Sequence, residues 1–365
     1  MEQKKLPPSP FGTQTTYEKW LESEGINVVT GYHLDDVMTV PLTPWKRKGG
    51  LGAFINLEGG GQTNDAYVCE IPPGQSLHPQ RHLFEELIFV LQGRGTTTFW
   101  SEGGPKRIME WQEGSLFSPP LNTWHQHFNS QGDKPVKYMA VTTAPTVINL
   151  FHNHEFVFNN PYVFKDRYND EDDYFTGKGT SHPGRVWDTN FIPNVKTFEL
   201  QEWAARGAGG KNVYFEIANN TLCSHISEFP IGTYKKAHRH GPGAHVIILS
   251  GQGYTLMWRE GMPIQRYDWH EGSIVVPPNQ WFHQHFNSGK TPARYLALRW
   301  EGMKFRTGLK TELCEVSTKD GGDQIEYEDE DPIVRKMFEE ELAKQGIKIN
   351  MPPVVKSDAG RCAES

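Results

Sequence analysis

The sequence predicts an all-β protein built of two tandem β-barrels with short flanking helices. Three observations support this prediction: an internal repeat, short runs of β-branched and aromatic residues, and abundant turn residues, with 36 Gly and 25 Pro. Several short strands separated by glycine and proline turns are typical of a sandwich or a barrel. The 365 residues are enough for two ordinary domains with substantial cores.

The internal repeat relates residues 74–129 to residues 232–287. Every matched pair is separated by 158 positions, so the two copies align without a gap. Self-similarity of this length indicates two copies of one structural unit. The matched pairs are Gly74/Gly232, His82/His240, Gly93/Gly251, Trp100/Trp258, Trp111/Trp269, Gly114/Gly272, His125/His283 and Asn129/Asn287.

The repeat and its flanks divide the chain into five segments. Amphipathic patterns predict one short helix before the first copy, at residues 16–25, and one after the second, at Pro332–Gln345. From Pro352 onwards we expect a disordered tail. The predicted segments are an N-terminal extension (1–50), a first barrel (51–150), a connecting segment (151–195), a second barrel (196–305), and an acidic linker with the C-terminal helix and tail (306–365).

Charge and composition exclude several classes of protein. The net charge is −7 and the chain has no cluster of Lys and Arg, so it lacks the electrostatic footprint of nucleic-acid binding. The four cysteines lie far apart without a CxxC pair, which is typical of reduced thiols in the cytoplasm. We see no signal peptide and no apolar run as long as a membrane span. These features predict a cytoplasmic protein that binds neither nucleic acid nor a membrane.

Three histidines of the second copy have the spacing of a metal site. The sequence His238-Arg239-His240 falls on a predicted strand, where residues two apart point to the same face. His283 comes from a later strand that can lie beside the first and supply a third nitrogen. Three protein nitrogens with the other positions open are typical of a catalytic metal site, whereas a closed structural site needs a fourth protein ligand.

The motifs around these histidines resemble those of the cupin superfamily, G-x5-H-x-H-x(3,4)-E-x6-G followed by G-x5-P-x-G-x2-H-x3-N. Gln280 stands where the second motif has its middle glycine. The resemblance covers both copies and implies that each is a cupin barrel, which is a double-stranded β-helix or jelly roll. The matching residues are Gly232, His238, His240 and Gly251 for the first motif, and Gly272, Pro278, His283 and Asn287 for the second.

The glutamate of the first cupin motif is missing from the second copy. Counting back from Gly251 places this position at Ala244, whereas the longer spacing from His240 places it at His245. A shift of one residue reverses the face of a strand. The repeat aligns without a gap, which favours Ala244 facing the interior and His245 facing away.

This arrangement resembles the gentisate and salicylate 1,2-dioxygenase branch of proteins with two cupin barrels. That branch has H-R-H, alanine at the glutamate position and a W-H-x-H-x-N ending; here Phe282 replaces the tryptophan, and the second barrel carries the motif instead of the first. The resemblance implies that His238, His240 and His283 are iron ligands. It also implies that His285 is catalytic, either as an acid/base or by steering bound oxygen.

The first copy has a less regular set of candidate ligands. Its cupin positions are Gln80, His82, Glu86 and His125, so glutamine replaces the first histidine. His78 lies two residues before Gln80 and shares its strand face. A second metal site of His82, Glu86 and His125 with either His78 or Gln80 is therefore an alternative, although degenerate copies in tandem barrels often lose their metal.

Three functions remain open at this stage. The first is a non-haem iron(II) dioxygenase, an oxidoreductase acting on O2 and a small, aromatic, carboxylated substrate. The second is a non-oxygenase metal-dependent cupin enzyme, such as a decarboxylase, isomerase or lyase, because one fold hosts many chemistries. The third is a non-catalytic cupin that binds a small ligand. Fe2+ is the expected metal, with Mn2+, Ni2+ or Zn2+ as alternatives, and the resemblance implies a homo-oligomer.

Overall fold

The structure is a computed structural model that describes residues 12–306 and 313–353. The predicted tail beyond residue 353, including Cys362, lies outside the described residues. Of the helices in the described part, none combines the length and apolar character needed to cross a membrane. The following elements make up the described chain.

Before and within the first barrel, the elements are α1 (Thr16–Glu24), β1 (Asn27–Val29), β2 (His33–Leu34), β3 (Thr43–Trp45), β4 (Gly50–Ile55), β5 (Asp65–Ile71), β6 (Glu86–Gln92), β7 (Arg94–Trp100), β8 (Arg107–Gln112), β9 (Leu116–Phe117), β10 (Trp124–Asn129) and β11 (Val136–Thr142). The connection contains α2 (Ala144–Phe151), α3 (His154–Asn159), β12 (Gly179–His182), β13 (Val186–Thr189) and β14 (Phe191–Ile192). The remainder consists of β15 (Gln201–Glu202), β16 (Lys211–Ile217), β17 (Leu222–Phe229), β18 (Ala237–His238), β19 (His245–Ser250), β20 (Gly253–Trp258), β21 (Gln265–Trp269), β22 (Ile274–Val275), β23 (Phe282–Asn287), β24 (Ala293–Trp300), β25 (Gln324–Ile325) and α4 (Pro332–Gln345).

Each repeat folds into a barrel of two facing sheets, as predicted. In the first barrel, one sheet has the order β1-β4-β5-β11-β6-β9-β14 with β3 beside β4, and the other has the order β10-β7-β8. In the second barrel, the orders are β12-β13-β16-β17-β24-β19-β22-β2 with β15 beside β16, and β21-β20-β23-β18-β25. The predicted all-β architecture of two jelly-roll barrels is therefore confirmed.

The two barrels exchange strands at their edges. β2 belongs to the N-terminal extension but pairs with β22 of the second barrel, while β14 belongs to the connection but pairs with β9 of the first. The larger sheets also share one hydrophobic cluster that includes Phe89 and Met139 of the first barrel and Ile247 and Leu296 of the second. The barrels consequently share a continuous core, which a division of the sequence into separate segments does not reveal.

Both predicted flanking helices are present. Helix α1 begins at a capping box, in which the Thr15 hydroxyl accepts from the Glu18 amide and the Glu18 carboxylate accepts from the Thr15 amide. It ends at Gly25, whose φ of 66° lies in the left-handed region that glycine favours. Helix α4 begins after Asp331, whose carboxylate accepts from the Ile333 amide.

Helix α4 and the segment before it cover the smaller sheet of the second barrel. Val334, Phe338 and Leu342 of the helix are buried against Tyr254 and Phe286 of the sheet. Strand β25 extends the same sheet by pairing with β18, which carries His238. The C-terminal region therefore buttresses the strand on which the predicted metal site depends.

This packing predicts a specific loss of stability. Phe338 is fully buried, so Phe338→Ala removes apolar contacts and leaves a cavity, which costs about 3–5 kcal/mol. Denaturant unfolding measures this loss. The exposed Lys336→Ala on the same helix serves as the control and should change the free energy of unfolding by less than about 0.5 kcal/mol. Equal effects of the two substitutions would contradict the packing described here.

Candidate metal centres

The second barrel brings its three predicted ligands together. His238 of β18 lies directly opposite His283 of β23 in the antiparallel ladder. The His238 and His283 ring centroids are 4.2 Å apart, and the His240 and His283 centroids are 4.7 Å apart. One nitrogen from each ring lies within 4.8 Å of one from each of the others. This distance is short enough for the three rings to share one metal ion.

Backbone carbonyls orient two of these rings. The Nδ1 of His240 lies 2.7 Å from the Gly241 carbonyl, and the Nδ1 of His283 lies 3.3 Å from the Trp281 carbonyl. A carbonyl only accepts, so each Nδ1 must carry the proton, which leaves a lone pair on Nε2 for a metal. The Nδ1 of His238 is buried without a hydrogen-bond partner.

Burial keeps these rings in the form that binds metal. Desolvation lowers the pKa of His240 to about 4, and it lowers the pKa of His238 and of His283 well below the ordinary value. The positive charge of Arg206 lowers all three further. The rings are therefore neutral at physiological pH and need not release a proton when they bind a cation.

The first barrel contains a second, fully buried cluster. The Nε2 atoms of His82 and His125 each lie 3.6 Å from Oε2 of Glu86. Metal–ligand bonds of about 2.1 Å in a tetrahedral arrangement separate the ligand atoms by about 3.4 Å, which is close to these distances. His82 Nε2 and Glu86 Oε2 are buried and lack a hydrogen-bond partner. The cluster therefore fits a divalent cation.

Carbonyls fix the rings of the first cluster in the same way. The Nδ1 of His82 lies 2.7 Å from the Phe84 carbonyl, and the Nδ1 of His125 lies 3.0 Å from the Thr123 carbonyl. The latter contact repeats that of His283, which also uses the carbonyl two residues before it. Both clusters thus present Nε2 lone pairs to a common centre.

Gln80 and His78 occupy different places. A β-bridge pairs Gln80 with His125, as His238 pairs with His283, and Gln80 Nε2 lies 3.1 Å from His125 Nε2. His78 is exposed, and its Nδ1 lies 3.1 Å from the Arg47 carbonyl. Of the two alternatives left open by the sequence, the structure brings Gln80 to the cluster and does not bring His78. The register shifts by one residue between the Ser76–Phe128 and Gln80–His125 bridges, so residues 78 and 80 do not share a face.

A buried lysine and tyrosine hold the other oxygen of the glutamate. The Nζ of Lys48 lies 3.4 Å from Glu86 Oε1, and the Tyr67 hydroxyl donates to the same oxygen. Burial alone would raise the pKa of Glu86. The charge of Lys48 and the nearby His125 and His82 rings outweigh burial and hold this pKa well below its ordinary value. Glu86 is therefore an anion that directs Oε2 at the two histidines.

His285 belongs to a relay that is repeated in both barrels. In the second barrel, Trp269 Nε1 donates to Thr255 Oγ1 at 3.1 Å, and Thr255 Oγ1 lies 2.8 Å from His285 Nδ1. In the first, the matched Trp111 donates to Thr97, whose Oγ1 lies 2.7 Å from Nδ1 of His127.

This relay is compatible with a defined tautomer of the histidine. The threonine hydroxyl accepts from tryptophan and has a proton that it can donate to Nδ1, and in this arrangement the histidine carries its own proton on Nε2. Burial lowers the pKa of His285 to about 3, so the ring is neutral. In this arrangement His285, the predicted catalytic residue, is an N–H donor. The matched tryptophans Trp269 and Trp111 are buried in the core and also donate the first hydrogen bond of each relay.

The second barrel also contains a buried lysine that the sequence analysis did not single out. Lys235 Nζ lies 3.1 Å from the Tyr295 hydroxyl and donates to Ser227 Oγ. Burial lowers its pKa well below the ordinary value. In the first barrel, Leu77 stands at the position that matches Lys235, and Cys69 stands at the position that matches Ser227. Lys48 was also missed: the repeat relates it to Arg206, 158 positions later, but this spacing does not show that either cation is buried.

Ala244 and His245 face opposite sides of their strand. Ala244 lines a small cavity together with His240, whereas His245 is fully buried and does not join the metal-ligand group of the described residues. Its ring nitrogens make no hydrogen bond of normal geometry. The second cluster consequently has three histidines and no carboxylate.

Residues 67–142 match the family model described as Cupin domain. An 88-residue segment is 30% identical to auxin-binding protein 4 of Zea mays. This alignment covers 23% of the chain and 43% of that protein, so the chain spans less than half the length of this relative. The matched segment includes all three residues of the first cluster, His82, Glu86 and His125.

Solved structures extend the similarity to both barrels. Lactobacillus farciminis oxalate decarboxylase in a formate complex has a TM-score of 0.51 and 14% identity, over 74% of this chain and 86% of that chain. A mutant of Bacillus subtilis oxalate decarboxylase has a TM-score of 0.50 and 15% identity, over 75% and 78% respectively. The chain therefore has the fold of a protein with two cupin barrels, or bicupin. The resemblance to the gentisate and salicylate branch stays a prediction.

His245 predicts a measurable pH dependence of stability. Burial lowers its pKa to about 4, whereas an unfolded histidine titrates near about 6.5. The unfolded state therefore binds more protons as the pH falls, and this residue alone should cost about 2 kcal/mol between pH 7 and pH 5. Denaturant unfolding of wild type and His245→Leu at both pH values measures it. The variant should lose less stability than wild type on acidification; equal losses would contradict this assignment.

Proposed function

We propose that this protein is a metal-dependent enzyme with one divalent cation in each barrel and a small carboxylic acid as its substrate. The observation that carries the proposal is the first cluster, in which His82 Nε2 and Glu86 Oε2 are buried, unpaired and aimed at the same point as His125 Nε2. Buried polar atoms rarely lack partners, so a missing ligand is the simplest explanation. Histidine with carboxylate or amide oxygen suits Mn2+ or Fe2+.

The reaction that we propose is decarboxylation. The similarity in architecture to oxalate decarboxylases supports it, as do the two separate clusters within one chain. In such a reaction the C–C bond to the carboxylate breaks, CO2 leaves, and the electron pair left on carbon takes up a proton. A bound divalent cation would supply charge stabilisation to the substrate oxygens.

The surrounding residues have defined tasks in this proposal. The carbonyls of Gly241, Trp281, Phe84 and Thr123 hold the ligand rings in place. His285 would direct its Nε2–H at a substrate oxygen, because Thr255 occupies its Nδ1. A fixed donor of this kind is effective because it needs no reorganisation when charge develops.

An iron(II) dioxygenase is the second candidate. Its specific support is the ligand chemistry: two histidines and one carboxylate are typical of non-haem iron oxygenases, and three histidines without a carboxylate resemble the gentisate and salicylate branch. In that case the substrate would be aromatic and carboxylated, and O2 would be the second substrate. The two candidates use the same residues and differ in their need for O2.

The metal content tests the two sites separately. We expect two divalent ions per chain in protein purified without chelator, and one ion per chain in His125→Ala and in His283→Ala, because each substitution removes a ligand from one cluster only. Elemental analysis measures this. His78→Ala is the matched control and should keep two ions, since His78 is exposed and bonded to the Arg47 carbonyl. Loss of metal in the control but not in His125→Ala would refute the assignment.

Turnover without oxygen separates the two reactions. Under anaerobic conditions, the Mn2+- or Fe2+-loaded protein should release 13CO2 from a 13C-carboxyl-labelled acid in a panel of small mono- and dicarboxylic acids. His285→Ala should lower kcat by about 10²–10³-fold, since an oriented donor at the reacting oxygen is lost. Mass spectrometry of the gas phase and an oxygen electrode give both readouts. Oxygen uptake with no anaerobic CO2 would favour the dioxygenase.

A further inference from the structure

Lys235 lies opposite the predicted catalytic histidine in the interior of the second barrel. Its amide donates to the His285 carbonyl at 3.0 Å, so positions 235 and 285 face each other across the ladder. Three residues later, His238 lies opposite His283, so the partner moves by two residues while the chain advances by three. This one-residue shift in register turns the Lys235 side chain to the face that carries the histidines, where it is 2% exposed.

The surroundings of Lys235 provide no carboxylate among the residues that the structure describes. Its Nζ lies 3.1 Å from the Tyr295 hydroxyl and donates to Ser227 Oγ, and both partners belong to the facing sheet. The ring centroids of Trp203 and Phe229 lie 5.2 Å and 5.3 Å from Nζ. The titratable groups that face it are Tyr295 of β24, His285 of β23, His225 of β17 and Arg206 before β16.

This environment favours the uncharged form of the amine. Desolvation lowers the pKa of Lys235 well below its ordinary value, and the charge of Arg206 lowers it further. Buried lysines with such lowered pKa values serve as bases in many active sites. Lys235 can therefore take up a proton when negative charge develops nearby.

The first barrel demonstrates that the fold does not need a lysine at this position. Leu77 stands at the matched position, and its amide donates to the His127 carbonyl at 2.9 Å, just as Lys235 donates to the His285 carbonyl. Leu77 is also fully buried. A leucine fills the space without the cost of desolvating an amine. Packing therefore does not explain the lysine, and an unexplained costly residue beside a functional site indicates a role in function.

Lys235 is placed to act on His285. The His285 and Tyr295 ring centroids are 5.2 Å apart, and the Tyr295 hydroxyl contacts Lys235 Nζ. Burial is the main reason that the pKa of His285 falls to about 3, and the charge of Lys235 is the next largest cause. A cation that disfavours the imidazolium also favours negative charge at an oxygen that accepts from the Nε2–H of His285.

We propose that Lys235 is a positioning residue for the reaction of the second barrel. It takes up a proton as negative charge develops at the substrate oxygen held by His285, and its ammonium then stabilises that charge through the interior. The proton comes from solvent and returns to it when the product leaves, so the net reaction is unchanged. The inference rests on the proposed function and deepens it by naming the group whose protonation follows the reaction.

Lysine NMR of the wild type tests the state of the amine without any substrate. In full-length protein loaded with diamagnetic Zn2+ and labelled with 15N-lysine, one Nζ resonance at pH 7 should have the chemical shift of a neutral amine. Lys235→Met should remove this resonance. Lys236→Met is the matched control and should keep it, because Lys236 is ion-paired with Glu326 on the C-terminal segment. If every lysine resonance at pH 7 is that of an ammonium, the inference is wrong.

The pH dependence of stability measures the same property independently. An unfolded lysine titrates near about 10.4, so between pH 7 and pH 9 the unfolded state binds one more proton at this position and stability rises with pH. The folding equilibrium constant of wild type should therefore gain about tenfold per pH unit relative to Lys235→Met. Lys235→Leu copies the first barrel and covers the case in which methionine packs poorly. Parallel pH dependences of wild type and both variants would overturn the inference.

The pH profile of turnover tests the effect on His285. With an acid that the enzyme decarboxylates, the wild-type kcat should decline at high pH, where Lys235 no longer takes up a proton. Lys235→Met should lower kcat by about tenfold or more and abolish this decline, whereas Lys236→Met should keep both kcat and its profile. A lysine that served only folding would leave the shape of the profile unchanged. An unchanged profile in Lys235→Met would refute the inference and leave the proposed function standing.

Failure of the proposed function has a different signature. If no acid of the panel is decarboxylated, the proposed function fails, and the ring nitrogens of His285 still report on Lys235. In Zn2+-loaded protein labelled with 15N-histidine, these resonances should shift in one step between pH 5 and pH 10, and Lys235→Met should abolish the step. A step that persists in the variant, or no step in wild type, counts against the inference by itself.

Discussion

The antiparallel pairing of one strand with another 45 positions later determines the chemistry of both barrels. Position 80 lies opposite 125 in the first barrel, and 238 lies opposite 283 in the second, with the same register. Because side chains alternate along a strand, this register aims the later histidine at Gln80 and His82 in the first barrel and at His238 and His240 in the second. A slip of one residue would turn every ligand to the other face. The carbonyl contacts at Nδ1 then orient rings that the register has already brought together.

Within this common frame, the two barrels have diverged in electrostatics. In the first barrel, the buried Lys48 is paired with Glu86, which also accepts from Tyr67. Burial raises the pKa of Glu86 there, and the charge of Lys48 lowers it. The second has exchanged two carboxylates for alanine and cysteine, kept a cation at the matched place, and added Arg299 and Glu301, which line one cavity. Coulombic energies are larger in a buried, low-dielectric interior than at the surface. These few substitutions therefore change what each cavity can bind, although the two barrels have the same backbone fold. A duplicated fold can thus hold two different sites.

Residues far from the clusters maintain their geometry. Strand β25, more than 80 residues after β18, pairs with it beside His238, and Glu330 accepts from both Tyr234 and Gln284 on the sheet that carries the second cluster. In the first barrel, Trp20 of helix α1 lines the cavity beside Glu86. These flanking segments exclude water from the clusters, which strengthens the interactions inside them. The exchange of strands between barrels explains why the flanks and the barrels form one body.

The sequence by itself determined the two-barrel fold, both flanking helices, and the ligand candidates His238, His240, His283, His82, Glu86 and His125, because strand alternation and a gap-free repeat are local signals. It also favoured Ala244 over His245 at the cavity. Only the tertiary structure decided between Gln80 and His78, and only it revealed Lys48, Arg206 and Lys235 as interior charges. The physical reason is that the burial of a cation and the identity of its partner depend on strands brought together from distant parts of the chain, which no spacing along the sequence specifies.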